Sequence, residues 1–421
     1  MENLTATVQA FLALGPTVIL PVFIFIIGLI FGCGPSKAFR SGLTIGVGFV
    51  GINLVVALLS DNLGPAAQAM VKNFGIQLTA IDIGWPGSAS MAWASPIAAL
   101  VIPLALIINL IMLFTKTTKT MDVDIWNYWH FTFCGACVYA LTESFWQAIL
   151  AAILFEIVIL KIADWTAPYM EKYFELPGVS VPTGSTCSYA PIGIPLIWLI
   201  QKIPVIKDLH ADPEYIQKKF GIFGEPIFMG LILGAAIGLL AGYDIGRTAQ
   251  VGMSMAGVMV LMPRMVKLLM EGLIPISEAA RNVLQKRFGE SANIYIGLDA
   301  AVTTGHPSVI ATALILVPIT ILLAVILPGN NVLPFGDLAT IPFIVAFIVA
   351  AARGNIIHSV LAGIVVISMS LLMSSAMAEF QTSMGITANF TMPEGSALIS
   401  SIDQAGNLIN FIIFKVFAIF N

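Results

Sequence analysis

Long apolar stretches without a charged side chain recur along the whole chain. They cover residues 14–36, 41–60, 83–115, 125–142, 227–243 and 300–336. A helix crosses a hydrocarbon core about 30 Å thick with about 20 residues, so the pattern predicts roughly ten crossings. We therefore expect an all-α polytopic membrane protein in which no stretch remains for a soluble catalytic domain.

Composition excludes several classes of protein. Of the 421 residues, 58% are hydrophobic and 10% are charged, whereas a soluble domain carries about a quarter charged residues. No Walker A loop is present, which argues against an ATP-driven pump. The four cysteines lie in or beside apolar segments, and the C-x-x-C of Cys134 and Cys137 has no second pair to complete a zinc site. We expect the cysteines to be packing residues and the protein to use no metal or other cofactor.

An internal repeat relates the two halves of the chain. Three pairs of positions, Pro16 with Pro226, Gly42 with Gly252, and Pro65 with Pro275, all differ by 210 residues. Later matches join Pro103 to Pro318, Glu143 to Asn355, and Pro182-Thr-Gly-Ser to Pro393-Glu-Gly-Ser. The sequence thus predicts one copy over residues 11–200 and a second copy over residues 221–412.

Positive charge indicates that the two copies face opposite ways. Residues 262–290 are rich in Lys and Arg, whereas the counterpart at 52–79 carries only Lys72. Short cytoplasmic loops collect Lys and Arg, so we expect two inverted copies of about five crossings each. Inverted repeats are typical of alternating-access transporters, whose substrate site lies near the midplane where helices are broken.

Two segments rich in Gly, Pro, Ser and Thr, residues 81–96 and 297–307, predict re-entrant hairpins. Irregular backbone at membrane depth is tolerated only where it is buried in protein or lines a wet cavity. The amphipathic residues 65–74 and 276–288 precede these hairpins and predict helices on the membrane surface. Glycines spaced four apart on one helix face favour close helix packing without a ligand; they are Gly230, Gly234, Gly238 and Gly242.

Ionisable side chains inside the apolar segments are the candidates for chemistry, because burying them in lipid costs several kcal/mol. They are Asp82, Asp299, Glu143, Glu156, His130, His306, His358 and Asp337. Each could instead satisfy loose backbone amides at a helix break. Glu156 is expected to snorkel to the interface beside Lys161, and Asp337 is expected to cap a helix start.

A site built from the two hairpins and the two breaks would be rich in hydroxyl and carboxylate acceptors. Its residues would be Glu143, Asp299, Asn355, His306, Ser88 and Ser185, edged by Trp85 and Trp146. Neither hairpin contains Lys or Arg, so an anionic substrate would have to rely on helix N-termini alone. The pattern favours a neutral polyhydroxy ligand.

Six sequence motifs stand out along the chain. They are Leu14-Gly-Pro-Thr-Val-Ile-Leu-Pro, Asp82-Ile-Gly-Trp-Pro-Gly-Ser, Asp122-Val-Asp-Ile-Trp-Asn-Tyr-Trp-His, Lys218-Lys-Phe-Gly-Ile-Phe-Gly-Glu-Pro, Gly297-Leu-Asp and Asn331-Val-Leu-Pro-Phe-Gly-Asp. Together they resemble one family, the enzyme IIC subunits of the galactitol-specific phosphotransferase system. The resemblance covers nearly the whole chain. It implies a multi-pass homodimer in the lipid of a bacterial inner membrane, related in fold to the ascorbate enzyme IIC. It also implies an elevator, in which a dimerising scaffold and a transport domain are each built from parts of both repeats.

The resemblance also implies partners and ligand residues. Separate enzyme IIA and IIB chains would relay phosphate to the incoming galactitol or related polyol, and the phosphoryl-donating residue would lie on IIB and not on this chain. No catalytic residue and no nucleic acid are expected. Ligands would come from Trp85, Gly87, Ser88, Asp82, Glu143, Gln147, Ser185, Asp299 and Asn355. Glu143 and Gln147 stand four apart and hence share one helix face.

Two other classes of protein remain as alternatives. An ion-coupled secondary transporter of a neutral polyol would use inverted repeats and intramembrane acids equally well. A structural or assembly protein without a substrate would explain neither the hairpins nor the buried acids. Uptake of labelled polyol with and without the partner chains discriminates between them.

Overall fold

The computed structural model describes residues 16–73, 78–124, 127–220, 225–288, 294–334, 336–388 and 397–420, together with Phe390 and Met392. Helix predominates in these residues, and the strands among them are two or three residues long. The short strands depart from the all-α prediction. A strand of this length has no hydrophobic alternation that a sequence pattern could reveal.

The first half of the chain alternates helices with three short strands. In order, they are α1 (Pro16–Ile30), α2 (Pro35–Asn73), β1 (Ala80–Asp82), α3 (Gly84–Ala94), α4 (Ala98–Phe114), β2 (Thr120–Asp122), α5 (Tyr128–Thr142), α6 (Phe145–Lys172), β3 (Val179–Ser180), α7 (Gly184–Cys187) and α8 (Ala190–Ile200). A 3-10 turn, Ile206–Asp208, and α9 (Pro213–Phe220) lead to the second half.

The second half has nearly the same order of elements. They are α10 (Pro226–Leu240), α11 (Ile245–Phe288), β4 (Tyr295–Gly297), α12 (Ala301–Thr304), α13 (Pro307–Ile326), β5 (Val332–Leu333), a 3-10 turn (Gly336–Thr340), α14 (Ile341–Ala351), α15 (Ile356–Thr387), β6 (Leu398–Ser400) and α16 (Leu408–Ile419).

Apolar helices confirm the prediction of a helical membrane protein. Among the described residues, α6, α13 and α15 are long and apolar enough to cross a membrane. Several shorter apolar helices, including α14 and α16, accompany them. The total of about ten crossings stays a prediction.

Proline and glycine fix the ends of corresponding helices in the two halves. α1 begins at Pro16 and α10 at Pro226, where the missing amide hydrogen of proline costs nothing. Gly32 follows α1 and Gly242 follows α10, each with a positive φ (71° and 73°) that glycine adopts without strain. The predicted helix breaks are also present, because α5 ends before Glu143 and α15 begins after Asn355.

Two three-stranded parallel sheets join the two halves of the chain. In the first sheet, β1 lies between β5 and β6; in the second, β4 lies between β2 and β3. Each sheet therefore combines one strand from one half with two strands from the other half. In register, Asp82 pairs with Ser400 and Ser180 pairs with Gly297. The ends of all six strands are thereby brought together in two places.

Four helices, α1, α2, α10 and α11, pack against one another and form what we call the four-helix group. Its closest contacts occur at glycines. A Cβ atom on Gly230 would lie 2.6 Å from the carbonyl oxygen of Met255, and one on Gly234 would lie 2.7 Å from the Met255 Cβ. The glycine stripe is thus a helix-packing surface, as its spacing predicts.

Replacing Gly230 with Ala should destabilise the four-helix group by about 1–3 kcal/mol, because the added carbon meets backbone that cannot move away. Gly64→Ala is the matched control: a Cβ atom there would meet nothing within 4 Å beyond the local backbone of α2, and alanine favours helix. Thermal unfolding of the purified variants in detergent measures the difference. Equal stability of the two variants would contradict the packing role.

Three predictions need correction. Residues 65–73 and 276–288 are not separate surface helices, because they continue α2 and α11, of 39 and 44 residues, without interruption. At 1.5 Å per residue, helices of that length extend well beyond a hydrocarbon core of about 30 Å. Glu156 does not snorkel: it is 2% exposed in the middle of α6, while Lys161 points outward and donates to the carbonyl of Thr117.

One sequence match is affected by the strand register. The segment Pro393-Glu-Gly-Ser lies outside the described residues, so its pairing with Pro182 is not described. In the sheets, β3 occupies the place that β6 occupies in the other half, which makes Ile402 rather than residue 393 the positional counterpart of Pro182.

Candidate functional site

The first sheet ends at a pair of buried carboxylates, Asp82 and Asp337. Asp82 accepts the amide hydrogens of Gly84 at 3.0 Å and of Asp337 at 2.8 Å. Asp337 in turn accepts the amides of Trp85 and Asp403, both at 2.9 Å. The two carboxylates therefore hold three broken segments of backbone together. Asp337 was predicted to cap the start of its own helix. It does accept backbone amides, but these amides belong to other segments.

The second sheet ends in a corresponding network of side chains. Asn127 donates to Asp122 at 3.0 Å and accepts the hydroxyl of Thr183 at 2.9 Å. The Thr183 hydroxyl also accepts the amide of Ala300 at 2.8 Å. Asp299 accepts the amide two residues after it at 2.8 Å. The predicted second hairpin is thereby fixed to the segments that follow β2 and β3.

Between the two sheets lies a group of buried polar side chains that we call the tip cluster: His130, Ser185, Asp403, Gln404 and Asn407. The Ser185 side chain lies beside the Asp403 carboxylate, and Gln404 donates to that carboxylate at 2.8 Å. His130 lies beside the side chain of Gln404. Asn407 reaches across and donates at 3.0 Å to the carbonyl at the start of α7. None of the five side chains is more than 4% exposed.

Several polar atoms of this region are buried without a hydrogen-bond partner among the described residues. They include Asp403 Oδ1, His130 Nδ1 and the hydroxyls of Thr186 and Ser188. Buried polar atoms are nearly always paired in folded proteins. Unpaired acceptors and hydroxyls where several broken segments meet are suited to receiving the hydroxyl groups of a ligand.

The charge around the tip cluster disfavours an anionic ligand. Lys and Arg are absent from the segments that meet there, which are residues 80–88, 120–130, 179–189, 295–307, 332–340 and 397–407. The carboxylate of Asp299 acts electrostatically on that of Asp403. A neutral ligand with many hydroxyl donors fits this surrounding best.

The first hairpin contributes Ser88 beside the tip cluster. Its hydroxyl accepts from Gln381 of α15 at 3.0 Å, and Gln381 accepts in turn from Ser401 at 3.3 Å. A Cβ atom on Gly87 would lie 2.7 Å from the side chain of Ile83, so a larger residue there would require Ile83 to shift. Ser88 and Gly87 therefore lie on the helix that adjoins the segment after β6.

His306 and Asn355 come together elsewhere, at the starts of α13 and α15. The His306 Nδ1 atom lies 3.1 Å from the hydroxyl of Tyr173, and His306 also caps α13. Asn355 caps α15 and donates to the carbonyl of Leu209 at 2.8 Å. Gly354 links the two, since a Cβ atom there would lie 2.9 Å from the Tyr173 hydroxyl.

Glu143 and Gln147 occupy a third location, at the break between α5 and α6. Glu143 has a positive φ of 54° and lines a cavity of about 300 Å³. Gln147 is exposed one turn into α6. The 13 residues of helix between His130 and Glu143 correspond to about 20 Å at 1.5 Å per residue. Among the described residues, Glu143 and Asn355 share no hydrogen-bond partner.

Three members of the tip cluster, Asp403, Gln404 and Asn407, were not among the residues predicted from sequence. The available signal was the polar run from Ser400 to Asn407, which directly precedes the apolar α16. Such a run at the start of an apolar helix indicates a polar site at membrane depth.

The cysteines behave largely as predicted. Cys134, Cys137 and Cys187 are buried in the core and form no disulfide, and Cys33 is half-buried. No group of three or more His, Cys, Asp or Glu side chains in the described part of the chain could hold a metal ion.

Comparison with known proteins places the chain in a family. The profile described as "PTS system sugar-specific permease component" matches residues 10–395. The chain is 42% identical over 407 residues to the galactitol-specific EIIC component of the phosphotransferase system of Escherichia coli K12, covering 97% of this chain and 90% of that protein. It is 39% identical over 408 residues to a putative permease IIC component of the same strain, covering 97% and 93%. The chain therefore belongs to the sugar-specific permease (EIIC) family of the phosphotransferase system, which are membrane transport proteins.

Proposed function

We propose that this chain is the galactitol-translocating subunit of a phosphotransferase system, and that galactitol binds at the tip cluster. The observation that carries the proposal is a cluster of unpaired, buried acceptors without a nearby Lys or Arg in a protein 42% identical to a galactitol-specific EIIC component. Each galactitol hydroxyl can donate to a carboxylate or imidazole and accept from an amide or hydroxyl.

Within this proposal, the predicted residues take different roles. Ser185 and Asp299 face the ligand together with Asp403, His130 and Gln404. Asp82, Trp85, Gly87 and Ser88 shape the site from the first hairpin, through backbone and side-chain hydrogen bonds. Asn355 and His306 support the second hairpin at the starts of α15 and α13.

The family membership implies partner chains, and we propose enzyme IIB as the phosphoryl donor and enzyme IIA as the donor to IIB. In this arrangement the chain supplies the binding site and the path, and no residue of the chain forms a covalent intermediate. We also propose that it works as a homodimer in a bacterial inner membrane, in contact with membrane lipid.

An inverted repeat and an elevator motion are further parts of the proposal. The starts of α1 and α10, and those of α2 and α11, are each 210 residues apart, which supports a repeat over residues 11–200 and 221–412. The four-helix group contains the first two helices of both halves and would be the scaffold. The remaining elements, which hold the tip cluster, would form the transport domain that carries the ligand across.

Family membership does not support the alternative of an ion-coupled secondary transporter. The deciding measurement is uptake of radiolabelled galactitol into vesicles that contain the protein, with and without enzyme IIA, enzyme IIB and a phosphorylating system that transfers phosphate from phosphoenolpyruvate to enzyme IIA. We expect accumulation of galactitol phosphate only when all three are present. Accumulation driven by an ion gradient without them would overturn the proposal.

The elevator motion can be measured by distances between paired spin labels. A pair at Ile386, at the end of α15, and Ile245, at the start of α11, should change its distance distribution when galactitol and phosphorylated IIB are added. A pair at Leu43 and Ile245, both in the four-helix group, is the control and should not change. All three positions are exposed, so labels fit without disturbing the core. Equal distributions for both pairs under turnover would contradict a moving transport domain.

A further inference from the structure

The cavity beside Glu143 is separate from the tip cluster. It has a volume of about 300 Å³, and its polar lining comes from Ser95, Tyr139, Glu143, Ser383 and Thr387. No member of the tip cluster lines it. Its volume lies at the lower end of the range for ligand pockets, which suits a small molecule.

The polar groups of the cavity favour a neutral ligand that donates hydrogen bonds. Within the part of the chain that the structure describes, the Glu143 carboxylate forms no hydrogen bond or ion pair, so its oxygens are available as acceptors. Ser95 uses its hydrogen on the carbonyl of Ala92 at 2.7 Å, and Thr387 uses its hydrogen on the carbonyl of Ser383 at 3.0 Å. Both hydroxyl oxygens therefore remain as acceptors. The lining contains no Lys or Arg, which leaves an anion without a partner.

A series of buried side-chain contacts connects this cavity to the tip cluster. Met384 lines the cavity, and its sulfur lies 3.5 Å from that of Cys137. Asn410 contacts Cys137 at 3.9 Å and donates at 2.9 Å to the carbonyl of Gln404 in the tip cluster. Met91, the other methionine of the lining, lies three residues after Ser88 in α3. Methionine side chains are flexible, so Met91 and Met384 can change conformation at small cost.

We propose that this cavity is an entry site, which binds the neutral polyol at the end of α5 beside Glu143 before the polyol reaches the tip cluster. This end lies opposite Lys161 and Lys172 of α6, so the positive-inside rule places it on the outer side. The inference rests on the proposed function, because the polyol and the position of the tip cluster come from it. Glu143 then belongs to a first encounter site, about 20 Å along α5 from His130, rather than to the site where the polyol is held for phosphorylation.

Protection of a cysteine from labelling tests the entry site. Thr387→Cys protein in right-side-out vesicles is treated with a membrane-impermeant maleimide, without phosphoenolpyruvate and with increasing galactitol. We expect saturating galactitol to slow labelling about fivefold or more, because the bound polyol covers the exposed side chain at this position. Trp146→Cys, which is exposed and outside the lining, should label at the same rate throughout. Labelling of wild-type protein gives the background.

Two further variants distinguish binding in the cavity from an effect of binding at the tip cluster. Asp403→Asn should leave the protection of Thr387→Cys in place, whereas Glu143→Gln should raise the half-protecting concentration about tenfold, the loss expected for a hydrogen bond to a charged group. Glu175→Gln is the matched control, since Glu175 is also exposed with a positive φ, and it should have no effect.

The possible outcomes decide between the two proposals. Absence of protection, or its loss in folded Asp403→Asn protein, would overturn the entry site. The same Thr387→Cys protein in inside-out vesicles should still allow IIB to phosphorylate galactitol. If it does while protection is absent, the proposed function stands and only the entry site is wrong. If wild-type protein allows no phosphorylation there, the proposed function itself fails.

Discussion

Replacing Asp337 with Ala should destabilise the protein by about 3 kcal/mol. Its carboxylate accepts the amides of Trp85 and Asp403 and the hydroxyl of Thr340, and the substitution leaves these donors without an acceptor. A buried donor without a partner costs about 1–3 kcal/mol. The net loss of stability is smaller than the sum of three such costs. The substitution also removes the cost of burying the Asp337 carboxylate close to that of Asp82.

The measurement is unfolding of the purified protein in detergent, followed by tryptophan fluorescence and by loss of the monodisperse peak. Asp337→Asn keeps one carbonyl oxygen and should lose roughly half as much stability as Asp337→Ala. Asp208→Ala serves as the control, since Asp208 is exposed and a surface change of this kind stays within about 0.5 kcal/mol. A stability of Asp337→Ala close to that of Asp208→Ala would show that the three segments are held by other contacts.

Asp403→Asn should weaken galactitol binding by about 1.5–3 kcal/mol, or roughly tenfold or more, while the protein stays folded. The side chain keeps its size, and one oxygen remains available to Gln404, which donates to Asp403 Oδ2. In the variant, an amide nitrogen that can only donate replaces the unpaired acceptor Oδ1. A ligand hydroxyl that donates to Oδ1 loses its acceptor.

Equilibrium binding of radiolabelled galactitol to purified protein measures this effect, and gel filtration shows whether the variant is folded. Asp208→Asn is the matched control and should bind like the wild-type protein. Our proposal gives Asp403 a role in binding alone and places the phosphoryl donor on IIB, so phosphorylation of galactitol by IIB should fall in parallel with binding. Unchanged affinity in a folded Asp403→Asn variant would remove the tip cluster as the ligand site.

Several features of this protein follow from its sequence because their causes are local. Hydropathy identifies a membrane protein, since every crossing needs a long run of apolar residues whatever its neighbours. Proline and glycine fix the helix ends at Pro16, Pro226, Gly32 and Gly242 through their own backbone preferences. The motifs that resemble the galactitol enzyme IIC family are likewise continuous in the chain, and the comparisons confirm that family.

The composition of the candidate site depends on contacts between residues far apart in the chain. Ser185 meets Asp403 from the other half of the protein. Ser185 follows β3 of the second sheet and Asp403 follows β6 of the first sheet, and each sheet pairs two- and three-residue strands of both halves. Strands so short carry no periodic signal. The sequence therefore does not indicate which strand ends lie together. The breaks at Glu143 and Asn355 were predicted correctly. The contacts that each residue makes there, such as that of Asn355 with Leu209, could not be predicted, because a local break has no information about its neighbours in space.

Burial was the other quantity that only the tertiary structure decided. Glu156 stands five residues before Lys161 in the sequence, a spacing that favours an interfacial position. In the structure α6 turns Glu156 toward the core and leaves Lys161 outside, because the direction of a helix face depends on what packs against it. Residues 65–73 and 276–288 likewise continue α2 and α11. Their amphipathic pattern marks where the surroundings of the helix change. The helix itself continues, because its backbone hydrogen bonds are satisfied internally in lipid and in water alike.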